Sequence, residues 1–145
     1  MDLVKLLESS SLFSALNKRI LWRIADLAQE KTYIKGDYLV REGETAQYCF
    51  IIVSGQVEVF REMNLPDKLF IAKLGAGEIL GELAIIDGLP RSASAIALEL
   101  TKTLAISAWD FKAQIQAYPE IALQLLPVIA RRLRDVQNQL TTMNT

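Results

Sequence analysis

Histidine is absent from the 145-residue sequence. That removes imidazole as a general base, as a metal ligand and as a switch near neutral pH. Cys49 is the one cysteine, which excludes an intrachain disulfide and any cysteine-clustered zinc or iron–sulfur site. Excess charge of either sign is missing too: 16 basic residues face 17 acidic ones, for a formal net charge of −1. Such a balance gives no reason to expect nucleic acid or a charged membrane surface as the main partner. No apolar run approaches a membrane span. The longest charge-free helical stretch, residues 121–130, is interrupted by Gln124 and Pro127. Residues 1–16 carry Asp2, Lys5 and Glu8 among short apolar pairs, unlike a signal peptide. What remains is a cytoplasmic binding module or an enzyme run on carboxylates alone.

The residues present divide the chain into three parts. Residues 1–30 read as helix, with Ile20, Ile24, Leu27 and Ala28 at i, i+4, i+7 and i+8 and charged residues between them. Ser9, Ser10 and Ser11 ahead of Leu12 and Phe13 mark a break with an N-cap. Over residues 31–108 the period falls to two and glycines punctuate short runs. Residues 38–40, 48–53, 56–59 and 69–74 read as strands, with a turn at residues 64–67. Short strands separated by turn signals indicate a sandwich or barrel. Residues 108–145 return to helix. Ser107 and Asp110 have capping-box-like spacing, Tyr118 and Pro119 break one helix and start the next, and Leu126, Ile129, Leu133, Val136 and Leu140 repeat at 3, 4, 3, 4. That seam either packs on the chain's own strands or joins two copies. Pro127, lacking a donor, marks a kink or a junction between two helices. Arg131, Arg132 and Arg134 read as a solvated face, and Cys49 as a buried structural thiol with no basic cluster beside it.

One stretch, residues 77–95, departs from the strand pattern. Gly81 precedes Glu82, Leu83, Ala84 and Ile85, about one helical turn, and the N–H groups at such an end attract anions. Arg91 is the one basic residue between Lys73 and Lys102, and it sits among Ser92, Ala93, Ser94 and Ala95. Small neighbours leave room for a bulky anion, and a guanidinium fits two phosphate oxygens at once. An ionised Glu82 is an acceptor only and suits hydroxyl donors such as a sugar diol. The competing possibility is that Glu82 and Arg91 pair with each other across a turn.

The string Leu80-Gly81-Glu82-Leu83-Ala84-Ile85, followed by Pro90-Arg91-Ser92-Ala93-Ser94, resembles the phosphate-binding cassette of the cyclic-nucleotide-binding domain family. Residues 11–16 resemble the family's N-terminal helical motif. Gly36-Asp37, Gly43-Glu44 and Gly55-Gln56-Val57 resemble its β-roll turns. The resemblance covers nearly the whole chain, and implies one domain over residues 1–145: helical to 30, β-roll over 31–108 with the cassette at 77–95, helical thereafter. The implied fold is α+β, mainly β: an antiparallel β-roll or jelly roll flanked by N-terminal helices and a long C-terminal helix, with a short helix in the cassette.

The resemblance also implies roles. Glu82 takes the ribose 2′-hydroxyl. Arg91 and the amides near Ala84, Ser92 and Ala93 hold the cyclic phosphate, while Leu80, Gly81 and Leu83 line the pocket. Leu80 stands where many members have phenylalanine. Ser92 matches the bacterial catabolite activator, whereas kinase regulatory subunits show alanine and cyclic-GMP-preferring members often show threonine. Cyclic AMP is the expected ligand and cyclic GMP the second choice. A mobile C-terminal helix from about Pro127 is the expected lid, with Leu133, Val136 and Leu140 as its apolar face and Arg134 and Gln137 as polar groups for the base. No cofactor or metal is expected, nor direct DNA binding, since the chain stops shortly after Leu140, nor membrane insertion. An effector protein and a homodimer through the C-terminal helix are the expected partners. The alternative function is a ligand-independent interaction module on the same fold. A histidine-free barrel enzyme has no paired acids to support it.

Overall fold

A computed structural model describes residues 3–10 and 12–143. Ser11, part of the expected N-terminal motif, lies outside them. The chain opens with α1 (Leu3–Glu8), a 3-10 turn (Phe13–Ala15) and α2 (Lys18–Leu27). Ser10 Oγ accepts from the Phe13 amide at 3.0 Å, and Asn17 Oδ1 caps α2 through Ile20 N, also at 3.0 Å. The expected break after the serines is therefore present.

Helix ends three residues earlier than the periodicity predicts. Ala28 turns extended, and Gln29–Tyr33 becomes β1, paired antiparallel with β8 (Thr101–Ser107). The sequence Gln-Glu-Lys-Thr-Tyr is polar because β1 is an edge strand with no fully buried residue, its inward face being carried by half-buried Lys31 and Tyr33, the latter packed on Phe50. Ladder pairing with β8, rather than local pattern, decides its conformation.

The remaining strands are β2 (Tyr38–Val40), β3 (Tyr48–Ser54), β4 (Val57–Arg61), β5 (Leu69–Leu74), β6 (Ile79–Leu80) and β7 (Ser94–Ala97). They form two antiparallel four-stranded sheets, ordered β1-β8-β3-β6 and β2-β7-β4-β5. β3 explains the near-continuous apolar run at residues 48–53. Its odd residues Cys49 and Ile51 join Leu104 and Ile106 under the helices, while Phe50 and Ile52 face Leu39, Val57, Ala95 and Ala97 of the opposite sheet. Both faces of this strand are covered, so both must be apolar. Cys49 is fully buried, and burial pushes its thiol up to about 12. It is a core residue, as expected.

The β3–β4 turn depends on Gly55, at φ +101°. A Cβ there would stand 2.6 Å from the Leu100 carbonyl oxygen and 2.7 Å from Thr101 Cα, both backbone atoms that cannot rotate away. Gly55→Ala should destabilise the fold by about 2–4 kcal/mol, combining left-handed strain with overpacking. Urea unfolding would register this as a lower midpoint at unchanged slope; a midpoint equal to the parent's would contradict it.

After the cassette helix α3 (Glu82–Asp87) and β7–β8, α4 (Ala108–Ala117) starts at Ser107, whose Oγ accepts from Asp110 N at 2.9 Å. α4 ends at Tyr118, ahead of Pro119, as expected. α5 then runs Glu120–Met143 without interruption. Pro127 lies inside it and does not separate two helices, correcting the expected junction. The residue is exposed, so water can take up the carbonyl its missing N–H leaves unbonded. α5 is anchored at its start, where Ile121 and Leu125 are buried and the Gln124 side chain accepts from Asn17 N. The expected roll, flanking helices, long C-terminal helix and short cassette helix are all present.

Candidate functional site

The cassette is held at both ends by left-handed glycines. Gly81 (φ +82°) starts α3 and Gly88 (φ +71°) ends it, donating to the Ala84 carbonyl at 3.0 Å. No side chain caps the start of α3, leaving its first amides open to an incoming acceptor. The return stretch from Pro90 is fixed by two backbone bonds across to the β2–β3 loop. Arg91 N donates to Glu44 O at 2.9 Å, and Gly43 N donates to Arg91 O at 2.8 Å. Ser94 Oγ accepts from Glu42 N at 2.9 Å and locks the start of β7 to the same loop.

These anchors set the position of Arg91, which is only 8% exposed. Its Nη2 donates to the Tyr48 carbonyl, and Nη1 reaches the Gly81 carbonyl at 3.5 Å. Gly81 suits that approach: a Cβ there would run into the Arg91 guanidinium, and its φ of +82° favours glycine. No carboxylate pairs with Arg91 among the described residues. Burial pulls its pKa below the ordinary guanidinium value, with the nearby Cys49 thiol opposing that pull. The result is a buried cation held only by carbonyl dipoles.

Glu82 does not pair with Arg91. Its Oε1 accepts from Arg132 Nη1 of α5 at 3.0 Å, a bond spanning 50 residues of sequence. Arg132 therefore leaves the solvated face on which the sequence placed it: half-buried, it ties α5 to the cassette helix through this bond. The helical arginine triplet gave no indication of which member turns inward.

A cavity of about 340 Å³ opens between the cassette and the roll. Leu80, Gly81, Glu82, Leu83, Ala84, Arg91, Ser92 and Ala93 all line it, so the structure brings together every pocket residue read from the motif. Val40 and Val59, from β2 and β4, form the opposite wall; nothing in their strand pattern distinguishes them from core positions. Leu80 is buried, whereas Leu83 is 56% exposed at the rim. The volume is near the lower end of small-ligand clefts, about 300–1,000 Å³. The expected lid residues Leu133, Arg134, Val136, Gln137 and Leu140 are all exposed, and none lines the cavity. Of the α5 seam, Leu126, Leu133, Val136 and Leu140 are exposed and Ile129 is half-buried.

A buried, uncompensated arginine at the mouth of a small cavity, next to an acceptor-only carboxylate, matches what a ribose-linked phosphodiester requires. The family model described as the cyclic nucleotide-binding domain matches residues 30–118. The chain belongs to this family. It is 32% identical over 138 residues to the "Cyclic AMP receptor protein" of Thermus thermophilus, covering 95% of this chain and 64% of that one. It is 34% identical over 131 residues to human "cGMP-dependent protein kinase 2", covering 89% of this chain and 17% of the kinase. The chain thus spans less than two thirds of each of these curated relatives. Among solved structures, the N-terminal domain of a transcriptional regulator from Streptomyces coelicolor superposes with a TM-score of 0.82 at 32% identity, covering 96% of this chain and 95% of that one. The family and fold are those of regulatory domains. No helix among the described residues is long and apolar enough to cross a membrane.

Proposed function

We propose that this chain is a non-catalytic cyclic-nucleotide sensor, that it takes cyclic AMP ahead of cyclic GMP, and that it passes occupancy on through α5. The observation that carries this reading is the Arg91 guanidinium, buried in the cassette cavity without a carboxylate partner among the described residues. A cyclic phosphodiester brings one negative charge and suits one cation. In this reading Arg91 binds the phosphate, assisted by the amides near Ala84, Ser92 and Ala93. Leu80, Gly81 and Leu83 shape the walls. Arg132 engages Oε1 of Glu82 and leaves the second carboxylate oxygen for the ribose 2′-hydroxyl. Ser92, and the name of the Thermus relative, favour cyclic AMP; the name of the kinase relative keeps cyclic GMP as the alternative.

The same ion pair gives α5 a reason to respond. A ligand shifts an equilibrium only through different contacts in two states. A hydroxyl arriving at Glu82 changes the carboxylate that holds Arg132, so ligand and helix share one group. The lid face Leu133, Val136 and Leu140, with Arg134 and Gln137, is then free to close over the base or to meet a second copy. The reading takes residues 1–145 as one domain, acting in the cytoplasm on an effector protein, without direct DNA contact or membrane insertion.

Calorimetric titration with cyclic AMP and cyclic GMP tests the ligand. One-to-one binding, tighter for cyclic AMP, is expected; no binding of either sinks the proposal. Hydrogen exchange tests the output. Saturating cyclic AMP should slow the amides of residues 127–140 more than those of the strands remote from the cassette. Unchanged protection there, alongside measured binding, would remove the α5 mechanism and leave the ligand site standing.

A further inference from the structure

The geometry points to Glu42 as a positioning residue that couples the tip of the β4–β5 hairpin to the phosphate side of the cassette. The inference rests on the proposed cyclic-nucleotide site and extends it to a residue outside the cavity wall.

The Glu42 side chain is only 9% exposed, although it belongs to a surface loop. Its Oε1 accepts from the backbone amides of Glu62 at 2.9 Å and Met63 at 3.3 Å, and its Oε2 lies 3.7 Å from Arg61 Nε. The hairpin tip is thereby fastened to the β2–β3 loop by one carboxylate. The Glu62 amide first, with Met63 and Arg61, holds this carboxyl below the usual carboxylate range. Gly43, next in sequence, sits so close that a Cβ would meet Met63 Sδ at 3.2 Å.

The other side of this loop carries the cassette. Glu42 N bonds buried Ser94, Gly43 N bonds the Arg91 carbonyl, and the Glu44 carbonyl takes the Arg91 amide. Three consecutive residues therefore fix the backbone of Arg91 and the start of β7, and the first of them is tied to the hairpin. Arg91 reaches its cavity only from that fixed backbone, and Ser92 and Ala93 lie in the same short return. Loosening the Glu42 clamp lets the loop shift and spreads the donors over more positions. Fold stability depends mainly on the two apolar cores, which Glu42 does not enter.

The test compares Glu42→Ala, Glu42→Gln and Glu58→Ala. Glu58 pairs with Lys68 at 2.9 Å on the same hairpin and does not line the cavity. Glu42→Ala should weaken cyclic AMP binding about tenfold, and Glu42→Gln, whose amide oxygen still accepts both N–H groups, about threefold. Glu58→Ala should bind within about 1.5-fold of the parent, since exposed pairs contribute little. Coupling is reciprocal. Saturating cyclic AMP should therefore slow exchange of the Glu62 and Met63 amides in the parent but not in Glu42→Ala. If Glu42→Ala does not fold, the Gln variant and the parent's exchange decide. Parent-like affinity of the folded Glu42 variants, or Glu62 and Met63 amides indifferent to ligand in a parent that binds, overturns the coupling alone. A parent that binds no cyclic nucleotide overturns the site itself and this inference with it.

Discussion

Arg91→Ala is expected to weaken cyclic AMP binding by about 30- to 5,000-fold, the equivalent of about 2–5 kcal/mol for truncating a water-shielded charged partner. The size follows from the surroundings of the side chain. The guanidinium is buried, bonded to the Tyr48 and Gly81 carbonyls, and has no competing carboxylate. Its desolvation has already occurred in the free protein, so a bound phosphate meets a preorganised donor. Arg91→Lys should also bind poorly, because one ammonium cannot reproduce the two-pronged donation. The Ala variant leaves two carbonyls without that donor, so each variant needs a circular-dichroism check before titration. A folded Arg91→Ala that binds within about threefold of the parent would show that the phosphate sits elsewhere.

The second large effect is discrimination at the sugar. Cyclic AMP should bind about 5- to 150-fold more tightly than its 2′-deoxy analogue, the equivalent of about 1–3 kcal/mol for an acceptor left unpaired. Glu82 is poised for this selection. Its side chain is 17% exposed, it lines the cavity, and Arg132 fixes its orientation from above. In Glu82→Ala the preference should fall to near unity, while binding through Arg91 persists at reduced strength. Equal affinity of the parent for the two ligands would remove Glu82 from ribose recognition without disturbing the phosphate assignment.

The contrast between Arg91 and Arg132 shows which features could be read from sequence. Arg91 stands out because its neighbours are small and a glycine-led turn precedes it; the motif is local, and the eight cavity residues it supplied lie within fourteen positions, whereas Val40 and Val59 come from distant strands. Arg132 is one of three arginines in a helix, and only its long-range bond to Glu82 in the folded chain selects it. The same division holds for the fold. The Ser107 cap, the Ser10 side-chain bond to the Phe13 amide and the Tyr118–Pro119 break are short-range and readable. β1 carries little local signal because an edge strand that is only half-buried on one face needs few apolar residues, and its identity comes from β8, about seventy residues away. At Pro127 the junction, one of the two readings open to the sequence, is absent for the opposite reason. The local rule allows a kink or a junction, and the exposed position and the buried anchors Ile121 and Leu125 let α5 continue through the proline. Glu42 carried no signal, since its amide partners at Glu62 and Met63 come from a turn twenty residues on.

The central claim is that a cyclic nucleotide occupies the cassette cavity with its phosphate on Arg91. Titrating ¹⁵N-labelled protein with cyclic AMP while following the backbone amides tests binding and location together. The largest shifts should fall on residues 81–84 and 91–93, saturate at one equivalent, and disappear in Arg91→Ala at the same ligand concentration. Amides in the cassette that stay put at millimolar cyclic AMP and cyclic GMP, or shifts that saturate on another surface, would contradict it.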